Sequence, residues 1–285
     1  MSTSILKLKD VSYRYADGTR ALDSCSLNIQ RGTRTAVLGG NGAGKTTLFL
    51  HLNGILRPTA GQVFCDDAPL DYSRNGMRAL RSRVGMVFQN PDSQLFSASV
   101  REDISFGPMN LGLTETVVRQ RVEEALVAVG MTTSADKPVH NLSYGQKKRV
   151  CIAGVLAMQP DVLVLDEPMA GLDAVMQEEL TTIFQQLHTD GMTIVVATHD
   201  LDFAYGWADE TIVMEAGQVL AHGTPTEILQ REDVQVKLGA APLVAEISRR
   251  LFLRGIDLRD KGYLPRTTYE LLQAISAHQK QEVKP

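Results

Sequence analysis

The 285-residue chain has the composition of a soluble globular protein, with 44% hydrophobic and 22% charged residues and a formal net charge of −4. That charge excludes the basic footprint of a nucleic-acid-binding protein, and no apolar run approaches the ~20 residues that span a bilayer. The N-terminus lacks a secretory signal, and three separated cysteines indicate buried thiols in a reducing compartment. We therefore expect a cytoplasmic protein that binds no nucleic acid and reaches a membrane only through a partner.

Four short apolar runs, rich in β-branched residues, are typical of buried strands in a parallel sheet. In chain order they cover residues 35–39, 84–88, 162–165 and 193–197, with helical stretches between them. Each run is followed by residues that can bind phosphate or carry out chemistry. Because ligands of open α/β sheets bind beyond the carboxyl ends of the strands, we predict one site where these four ends meet.

The first strand end leads into a glycine-rich segment, GGNGAGKTT, at residues 39–47. This segment matches G-x-x-x-x-G-K-[ST], in which backbone N–H groups surround phosphates, the lysine reaches the β- and γ-phosphates and the hydroxyl ligates Mg²⁺. Its position between an apolar strand and an apolar helix favours a nucleotide-binding loop over a simple glycine turn. The predicted ATP-binding residues of the loop are Gly39, Gly40, Asn41, Gly42, Ala43, Gly44, Lys45, Thr46 and Thr47.

An amide and two carboxylates follow the next two strands. Gln89 comes after the second run, and Asp166 and Glu167 come after the third. Amide and carboxylate oxygens ligate Mg²⁺, so Thr46, Gln89 and Asp166 form the predicted metal-binding set. Neighbouring strand side chains alternate in direction, which leaves Glu167 to act as general base for the attacking water in phosphoryl transfer. Without the glycine loop, an Asp-Glu pair here would indicate only a solvated turn.

His199 follows the fourth run, and two interpretations of it compete. A lone histidine is most often a satisfied core residue. At the end of a strand in this sheet, a neutral imidazole is instead positioned to hydrogen-bond the γ-phosphate or the attacking water. We predict the second role, so the candidate catalytic residues are Lys45, Gln89, Glu167 and His199.

The order of these segments, followed by "LSYGQ" at residues 142–146 and "AGLD" at 170–173, resembles the ATP-binding cassette family over residues 5–235. The resemblance implies an α/β P-loop NTPase fold with a mostly parallel sheet, an N-terminal antiparallel β part and an inserted helical subdomain. It implies ATP and Mg²⁺ as ligands. It also gives Tyr15 the role of stacking on adenine, with Tyr13 as the alternative, and makes Asp173 a link between two sites.

The "LSYGQ" segment contains a second helix N-terminus suited to an anion, although no second phosphate loop accompanies it. Its simplest interpretation is a serine N-cap with a turn glycine. The family resemblance implies instead that Ser143, Gly145 and Gln146 close over the ATP of a second copy in a head-to-tail dimer. The complete catalytic set in one chain favours a homodimer. Tyr144 stands where the family commonly has glycine, which leaves the backbone N–H groups in place.

Residues 88–113 resemble the energy-coupling-factor group of cassette ATPases, and residues 198–210 are most similar to cobalt-transport ATPases of the CbiO type. This implies an ATPase peripheral to the cytoplasmic face of the membrane, working with a transmembrane scaffold (T component) and a substrate-binding membrane subunit to import cobalt or nickel. The alternatives are vitamin import, a soluble ATPase acting on DNA or ribosomes, and a nucleotide sensor. The presence of Glu167 and His199 argues against a sensor.

We predict an ATPase domain at residues 1–240 and a C-terminal helical extension at residues 241–285. A helical subdomain at about 91–160 is indicated by Val118, Val122, Ala125 and Val129 at helical spacing, and residues 94–96 are predicted to form the floor of a groove for the membrane partner. In the extension, Leu243, Ile247 and Leu251 recur at helical spacing. The extension is too short for a core of its own, so we expect it to pack on the main domain or on a second copy.

Overall fold

The computed structural model describes residues 4–259 and 263–282, which form two sheets and eleven α-helices. The strands are β1 (Ser4–Arg14), β2 (Arg20–Gln30), β3 (Arg34–Leu38), β4 (Ala60–Cys65), β5 (Ala68–Pro69), β6 (Val84–Val87), β7 (Val162–Asp166), β8 (Thr193–Ala197), β9 (Glu210–Glu215) and β10 (Gln218–Gly223). The helices are α1 (Lys45–Leu52), α2 (Arg74–Arg83), α3 (Val100–Asn110), α4 (Glu115–Ala128), α5 (Tyr144–Leu156), α6 (Ala174–Thr189), α7 (Leu201–Trp207), α8 (Pro225–Ile228), α9 (Glu232–Leu238), α10 (Leu243–Phe252) and α11 (Thr268–Glu282).

The larger sheet brings the predicted strand ends together. Its strand order is β10-β9-β3-β8-β7-β6. The pairs β9–β3, β3–β8, β8–β7 and β7–β6 are parallel, and β10 is antiparallel to β9. The strands that precede the glycine loop, His199, Asp166 and Gln89 therefore lie side by side with their carboxyl ends at one edge. The smaller sheet, β2-β1-β4-β5, is antiparallel throughout.

Apolar side chains fill both faces of the parallel sheet. On β3, Ala36 and Leu38 join one buried cluster, whereas Val37 joins the other. Leu163 and Val164 on β7 divide in the same way. Burial on both faces explains why these strands have continuous apolar sequences instead of alternating ones.

The segment between β6 and β7 is helical. Residues 91–160 contain α3, α4 and α5 with three short 3-10 turns, and Val118, Val122, Ala125 and Val129 are buried as their spacing predicts. Among the residues that the structure describes, no helix is both long and apolar enough to cross a membrane.

The C-terminal helices pack against α7 and its neighbours. Nε of Arg266 donates to the carbonyl oxygen of Tyr205 at 2.8 Å, and Leu271 of α11 joins the larger core cluster. In α10 the predicted apolar face is partly wrong: Leu243 is 57% exposed, and the buried residues include Val244 and Ala245. Residues 260–262 and 283–285 of the predicted extension lie outside the described residues, as do residues 1–3.

Candidate active site

The glycine loop between β3 and α1 requires glycine because it packs directly on backbone. Gly39 has a φ of +152° and Gly44 a φ of +103°, which L side chains rarely adopt. A Cβ atom on Gly39 would lie 2.5 Å from the carbonyl oxygen of Met214, and one on Gly44 would lie 2.5 Å from that of Ala21. The loop is therefore held tightly against β9 and β2, which fixes the start of α1.

The first two residues of α1 bring a cation and a hydroxyl to the end of β7. The buried Lys45 donates through Nζ to the carbonyl oxygens of Gly39 at 2.7 Å and Gly40 at 3.3 Å. Thr46 donates its hydroxyl to Oδ2 of Asp166 at 2.7 Å. Burial raises the pKa of Asp166, against the opposing effects of the Thr46 hydrogen bond and the charge of Lys45.

Glu167 follows β7 in a left-handed conformation, with a φ of +47°. For a residue other than glycine this conformation costs free energy. Its N–H group donates to the carbonyl oxygen of Ala197 at 3.0 Å, and its Oε2 lies 2.9 Å from Nδ1 of His199. The His199 side chain is 76% exposed, which rules out the alternative of a core histidine.

Tyr15 and Tyr13 occupy different environments. The Tyr15 ring lies beside α1, with its hydroxyl 3.0 Å from Oγ1 of Thr47. Tyr13 is half-buried and packs edge-on against both Tyr15 and the buried His51, with ring centroids 5.0 and 4.9 Å away. Tyr15 is therefore the better placed of the two to meet a base beside the glycine loop.

These groups surround a cavity of about 520 Å³ at the edge of the sheet. The predicted residues that line it are Tyr15, Gly40, Asn41, Gly42, Ala43, Gly44, Lys45, Thr46, Thr47, Gln89, Asp166, Glu167 and His199. Gly39 is not part of the lining, and its carbonyl oxygen instead accepts the hydrogen bond from Lys45. The four strand ends thus do meet around one space.

The cavity is also lined by three residues that were not predicted from the sequence, Thr19, Arg20 and Ala21. A tight turn folds them back toward Tyr15, whose N–H group donates to the carbonyl oxygen of Thr19 at 2.9 Å. The available signal was the Asp-Gly pair just before them, which is typical of a turn.

Four predicted residues, Ser143, Gly145, Gln146 and Asp173, do not line this cavity. Ser143 caps α5, because its hydroxyl accepts from the Gln146 N–H at 3.3 Å and its own N–H donates to Oε1 of Gln146 at 3.0 Å. Asp173 caps α6 by accepting from the N–H group of Met176 at 2.9 Å. Ser143 is exposed, so its capping role leaves this helix end open to the outside.

A groove of about 880 Å³ lies between α2 and the helical insert. Gln94 and Phe96 line it, and Phe96, 64% exposed, packs edge-on against Phe106 with ring centroids 4.6 Å apart. Asp103 fixes this turn by accepting the N–H groups of Phe96 and Ser97 at 3.0 and 2.9 Å. Leu95, the middle residue of the predicted floor, packs against the core instead.

Comparison with known proteins identifies relatives along most of the chain. Residues 22–170 match the family model described as ABC transporter. The energy-coupling factor transporter ATP-binding protein EcfA of Methanothermobacter thermautotrophicus is 44% identical over 272 residues, 95% of this chain and 88% of that protein. The corresponding protein EcfA3 of Clostridium perfringens is 49% identical over 235 residues, 82% of each chain.

Solved structures agree with this relationship. The structure of cbiO1 from Clostridium perfringens, described as part of the ABC transporter complex cbiONQ, has a TM-score of 0.76 at 46% identity and covers 89% of this chain and 96% of its own. A dimeric ATP-binding cassette in a post-hydrolysis state, bound to ADP and Pi, has a TM-score of 0.71 at 27% identity, with 78% and 99% covered.

The resemblance and the fold class predicted from the sequence are therefore both confirmed. The chain belongs to the ABC transporter family and, within it, to the ATP-binding ATPase subunits of energy-coupling factor transporters.

Proposed function

We propose that this chain hydrolyses ATP to power an importer of cobalt or nickel ions, and that two copies act as a head-to-tail dimer on a transmembrane partner. The observation that carries the proposal is the convergence of Lys45, Asp166, Glu167 and His199 on one cavity. Because this cavity uses ATP, we place the protein at the cytoplasmic face of the membrane.

Nucleotide binding follows from the loop and its surroundings. The N–H groups of residues 40–47 and the N-terminus of α1 supply positive potential for the phosphates. Lys45 adds a full positive charge. In our proposal its ammonium group exchanges its hydrogen bonds to the loop carbonyls for hydrogen bonds to the β- and γ-phosphate oxygens when ATP binds. Tyr15 gives a partly exposed aromatic face for the adenine ring.

The oxygen donors at this edge fit Mg²⁺. The hydroxyl of Thr46 and the carboxylate of Asp166 are in contact at 2.7 Å, and Gln89 lines the same cavity. Thr46, Gln89 and Asp166 are the residues that would hold the ion. When bound, Mg²⁺ neutralises phosphate charge, and it prefers oxygen ligands of this kind.

Glu167 is the proposed general base. Its carboxylate accepts a proton from the attacking water as the water adds to the γ-phosphorus and ADP leaves. A carboxylate has no proton to give, so the contact with His199 requires the histidine proton on Nδ1. In a neutral ring, Nε2 is then an acceptor, which suits a hydrogen bond from the attacking water and not one to a phosphate oxygen.

A second copy supplies the other half of each site in this proposal. Ser143, Gly145 and Gln146 lie at the N-terminus of α5, outside the chain's own cavity. Ser143 is exposed, Gln146 is half-buried and Gly145 is buried in the single chain. Packed head to tail, that helix end would face the γ-phosphate held by the partner, and Asp173 at the neighbouring N-terminus of α6 would link the two sites. The complete set of residues in one chain supports a homodimer.

We propose that the groove between α2 and the helical insert receives a helix of the transmembrane scaffold. Phe96, Phe106 and Met109 expose apolar surface on or beside it, and Arg74, Arg78 and Arg81 line the opposite side. A groove with one apolar and one basic side suits an amphipathic helix. The scaffold would in turn contact the substrate-binding membrane subunit.

Our proposal for the transported solute rests only on similarity to other proteins. The cbiO1 structure comes from a cbiONQ complex, and residues 198–210 resemble cobalt-transport ATPases, so we favour cobalt or nickel. Vitamin import is the alternative, because the names of the two energy-coupling factor relatives described above specify no solute.

We further propose that residues 1–240 form the ATPase domain, with the helical subdomain at about 91–160, and that residues 241–285 help to hold the dimer. Tyr269 and Leu272 expose apolar surface on α11, at 71% and 59%. Leu272→Asp should lower the mass of the protein in solution toward that of a monomer, whereas Val236→Asp, at a more exposed position on α9, should not. Unchanged mass for both variants would remove the extension from the dimer contact.

The function is tested by isolating the tagged full-length chain from cell membranes. We expect integral membrane subunits to accompany it, with cobalt or nickel detected by mass spectrometry. Phe96→Asp should lose these subunits and keep ATP binding, while Val127→Asp, exposed in the same insert but outside the groove, should retain them. Recovery of a vitamin would select the alternative solute, and recovery of ribosomes or DNA would contradict the proposal.

A further inference from the structure

Lys148 is a buried lysine that the proposed reaction does not use. It lies in the second turn of α5 and is only 4% exposed. Lysine is almost never buried without partners, and here Nζ donates to the carbonyl oxygens of Pro168 at 2.7 Å and Glu167 at 3.1 Å. The side chain therefore extends from the helix that carries Ser143 to the backbone of the proposed general base.

The backbone that Lys148 contacts is strained. Glu167 is in the left-handed region, and Pro168 has no N–H group to offer to the surrounding structure. The Glu167 carbonyl oxygen accepts from the N–H of Ala170 at 3.2 Å as well as from Lys148. A cation that donates hydrogen bonds to two consecutive carbonyl oxygens stabilises this turn and limits where the Glu167 carboxylate can lie.

Tyr144 covers the lysine from the side of the helix N-terminus. Nζ of Lys148 is 5.4 Å from the centre of the Tyr144 ring, a distance at which a cation is attracted to an aromatic face. The same ring packs over Gly171, where a Cβ atom would come within 3.0 Å of it, and its hydroxyl lies 3.5 Å from the carbonyl oxygen of Gln89. Burial lowers the pKa of Lys148 to about 8, so the ammonium form still predominates at neutral pH.

We propose that Lys148, shielded by Tyr144, is a positioning residue that holds Glu167 in its working conformation and ties it to α5, the helix capped by Ser143. The inference rests on the proposed role of Glu167 as general base. In the proposed dimer, the N-terminus of α5 contacts the partner's nucleotide. Lys148 then links that contact to Glu167, the general base of the chain's own site. The connection passes through one helix and two hydrogen bonds.

Lys148→Met keeps the apolar stem and removes the donor. We expect it to lower the kcat for ATP hydrolysis by about 10- to 100-fold, the range expected for loss of a hydrogen bond to a charged group. The affinity for ATP, measured in a Glu167→Gln background in which hydrolysis is suppressed, should change by less than about threefold. Lys148→Arg retains a cationic donor and should recover part of the lost kcat.

Lys147→Met is the matched control, since it makes the same change one residue earlier on the same helix. The Lys147 amine pairs with the carboxylate of Asp92 at 2.7 Å near the surface and does not touch the Glu167 turn, so we expect near-wild-type turnover. If Lys148→Met does not fold, Lys148→Gln replaces it. Its donor is neutral, so its kcat should lie below that of the Arg variant, and a kcat within about twofold of wild type would again contradict the positioning role.

The outcomes separate the inference from the proposed function. If the wild type does not hydrolyse ATP, or Glu167→Gln turns over normally, the proposed function fails whatever Lys148 does. If those two behave as expected and Lys148→Met keeps a kcat within about twofold of wild type, the positioning role is wrong. A parallel fall of kcat and ATP affinity, with no recovery in the Arg variant, would likewise overturn it in favour of a purely structural role.

Discussion

The carboxylate of Glu167 and the imidazole of His199 form a hydrogen bond of 2.9 Å, although 32 residues separate them in the chain. They follow neighbouring parallel strands, β7 and β8, so the sheet brings both to the same edge. The exposed ring anchors the carboxylate from the solvent side, while the turn behind it is held by Ala197 and Lys148. With its carboxylate held in this way, Glu167 is the residue whose substitution should lower ATP hydrolysis most without weakening ATP binding.

Glu167→Gln should retain ATP binding and lose hydrolysis by ~10²–10⁴-fold, the usual contribution of a positioned general base. The amide has nearly the same shape but does not accept the proton of the attacking water. Phosphate release at saturating ATP measures the loss, and Glu178→Gln, at an exposed position on α6, is the control. Turnover near that of the wild type would exclude Glu167 as the base.

Lys45→Ala should weaken ATP binding itself. The variant removes the one cation placed inside the glycine loop, and a hydrogen bond to a charged group is typically worth about 1.5–3 kcal/mol, or about 10- to 100-fold in Kd. Equilibrium binding of a fluorescent ATP analogue measures this, with Lys9→Ala on an exposed part of β1 as the control. Unaltered affinity would contradict the role assigned to Lys45.

Tyr15→Ala should weaken ATP binding by about 5- to 150-fold, the range for loss of one base-stacking contact. Tyr15→Phe should bind nearly as the wild type does, because the ring supplies the contact. Tyr13→Phe tests the neighbouring ring, which is packed against His51, and should leave affinity unchanged. The assignment would be reversed if Tyr13→Ala lost affinity in a folded protein while Tyr15→Ala kept it.

Asp209→Asn should reduce the free energy of unfolding by ~1–2 kcal/mol near neutral pH, allowing for partial exposure of the pair. Arg34, at the start of β3, donates to both Asp209 oxygens, at 2.7 and 3.1 Å. Burial alone would raise the pKa of Asp209, but these hydrogen bonds more than offset it and the pKa is lowered. The folded state therefore binds fewer protons than the unfolded state, and the stabilisation is complete above about pH 4 and is lost below it.

Urea unfolding over a pH series measures this difference. The wild type and Asp209→Asn should converge as the pH falls through the lowered pKa of Asp209. Asp136→Asn, whose carboxylate pairs with Arg101 but is 85% exposed, should differ little from the wild type at any pH. A gap between wild type and Asp209→Asn that does not depend on pH would show that the charge is not its cause.

Sequence reasoning succeeded where a few adjacent residues fix a local geometry. The glycine loop is identifiable because only glycine permits the contacts of Gly39 and Gly44 with backbone carbonyls. The parallel strands are identifiable because both of their faces are buried. The position of Asp166 in the site could then be predicted, because a polar residue at the carboxyl end of such a strand lies at the edge where ligands bind.

Features that depend on packing between distant segments were not predicted. Thr19 to Ala21 line the cavity only because the turn after Tyr15 brings them beside α1. Lys148 belongs to a Lys-Lys-Arg run that is typical of a solvated helix turn, and nothing local reveals that its amine enters the Glu167 turn. Leu243 matched the apolar spacing of α10, yet the helix is rotated so that Val244 is buried instead.

The central claim is that each working site combines the glycine loop of one copy with the "LSYGQ" helix end of another. Lys45→Ala disables the first part. Ser143→Asp disables the second by placing negative charge toward the triphosphate, and it retains a residue that caps helices well. Each variant alone should be nearly inactive when ATP is supplied well below the weakened Kd of Lys45→Ala. An equal mixture should recover about a quarter of the wild-type ATPase rate, because half the dimers are mixed and each has one intact site of two. A mixture no more active than its separate components would contradict the account.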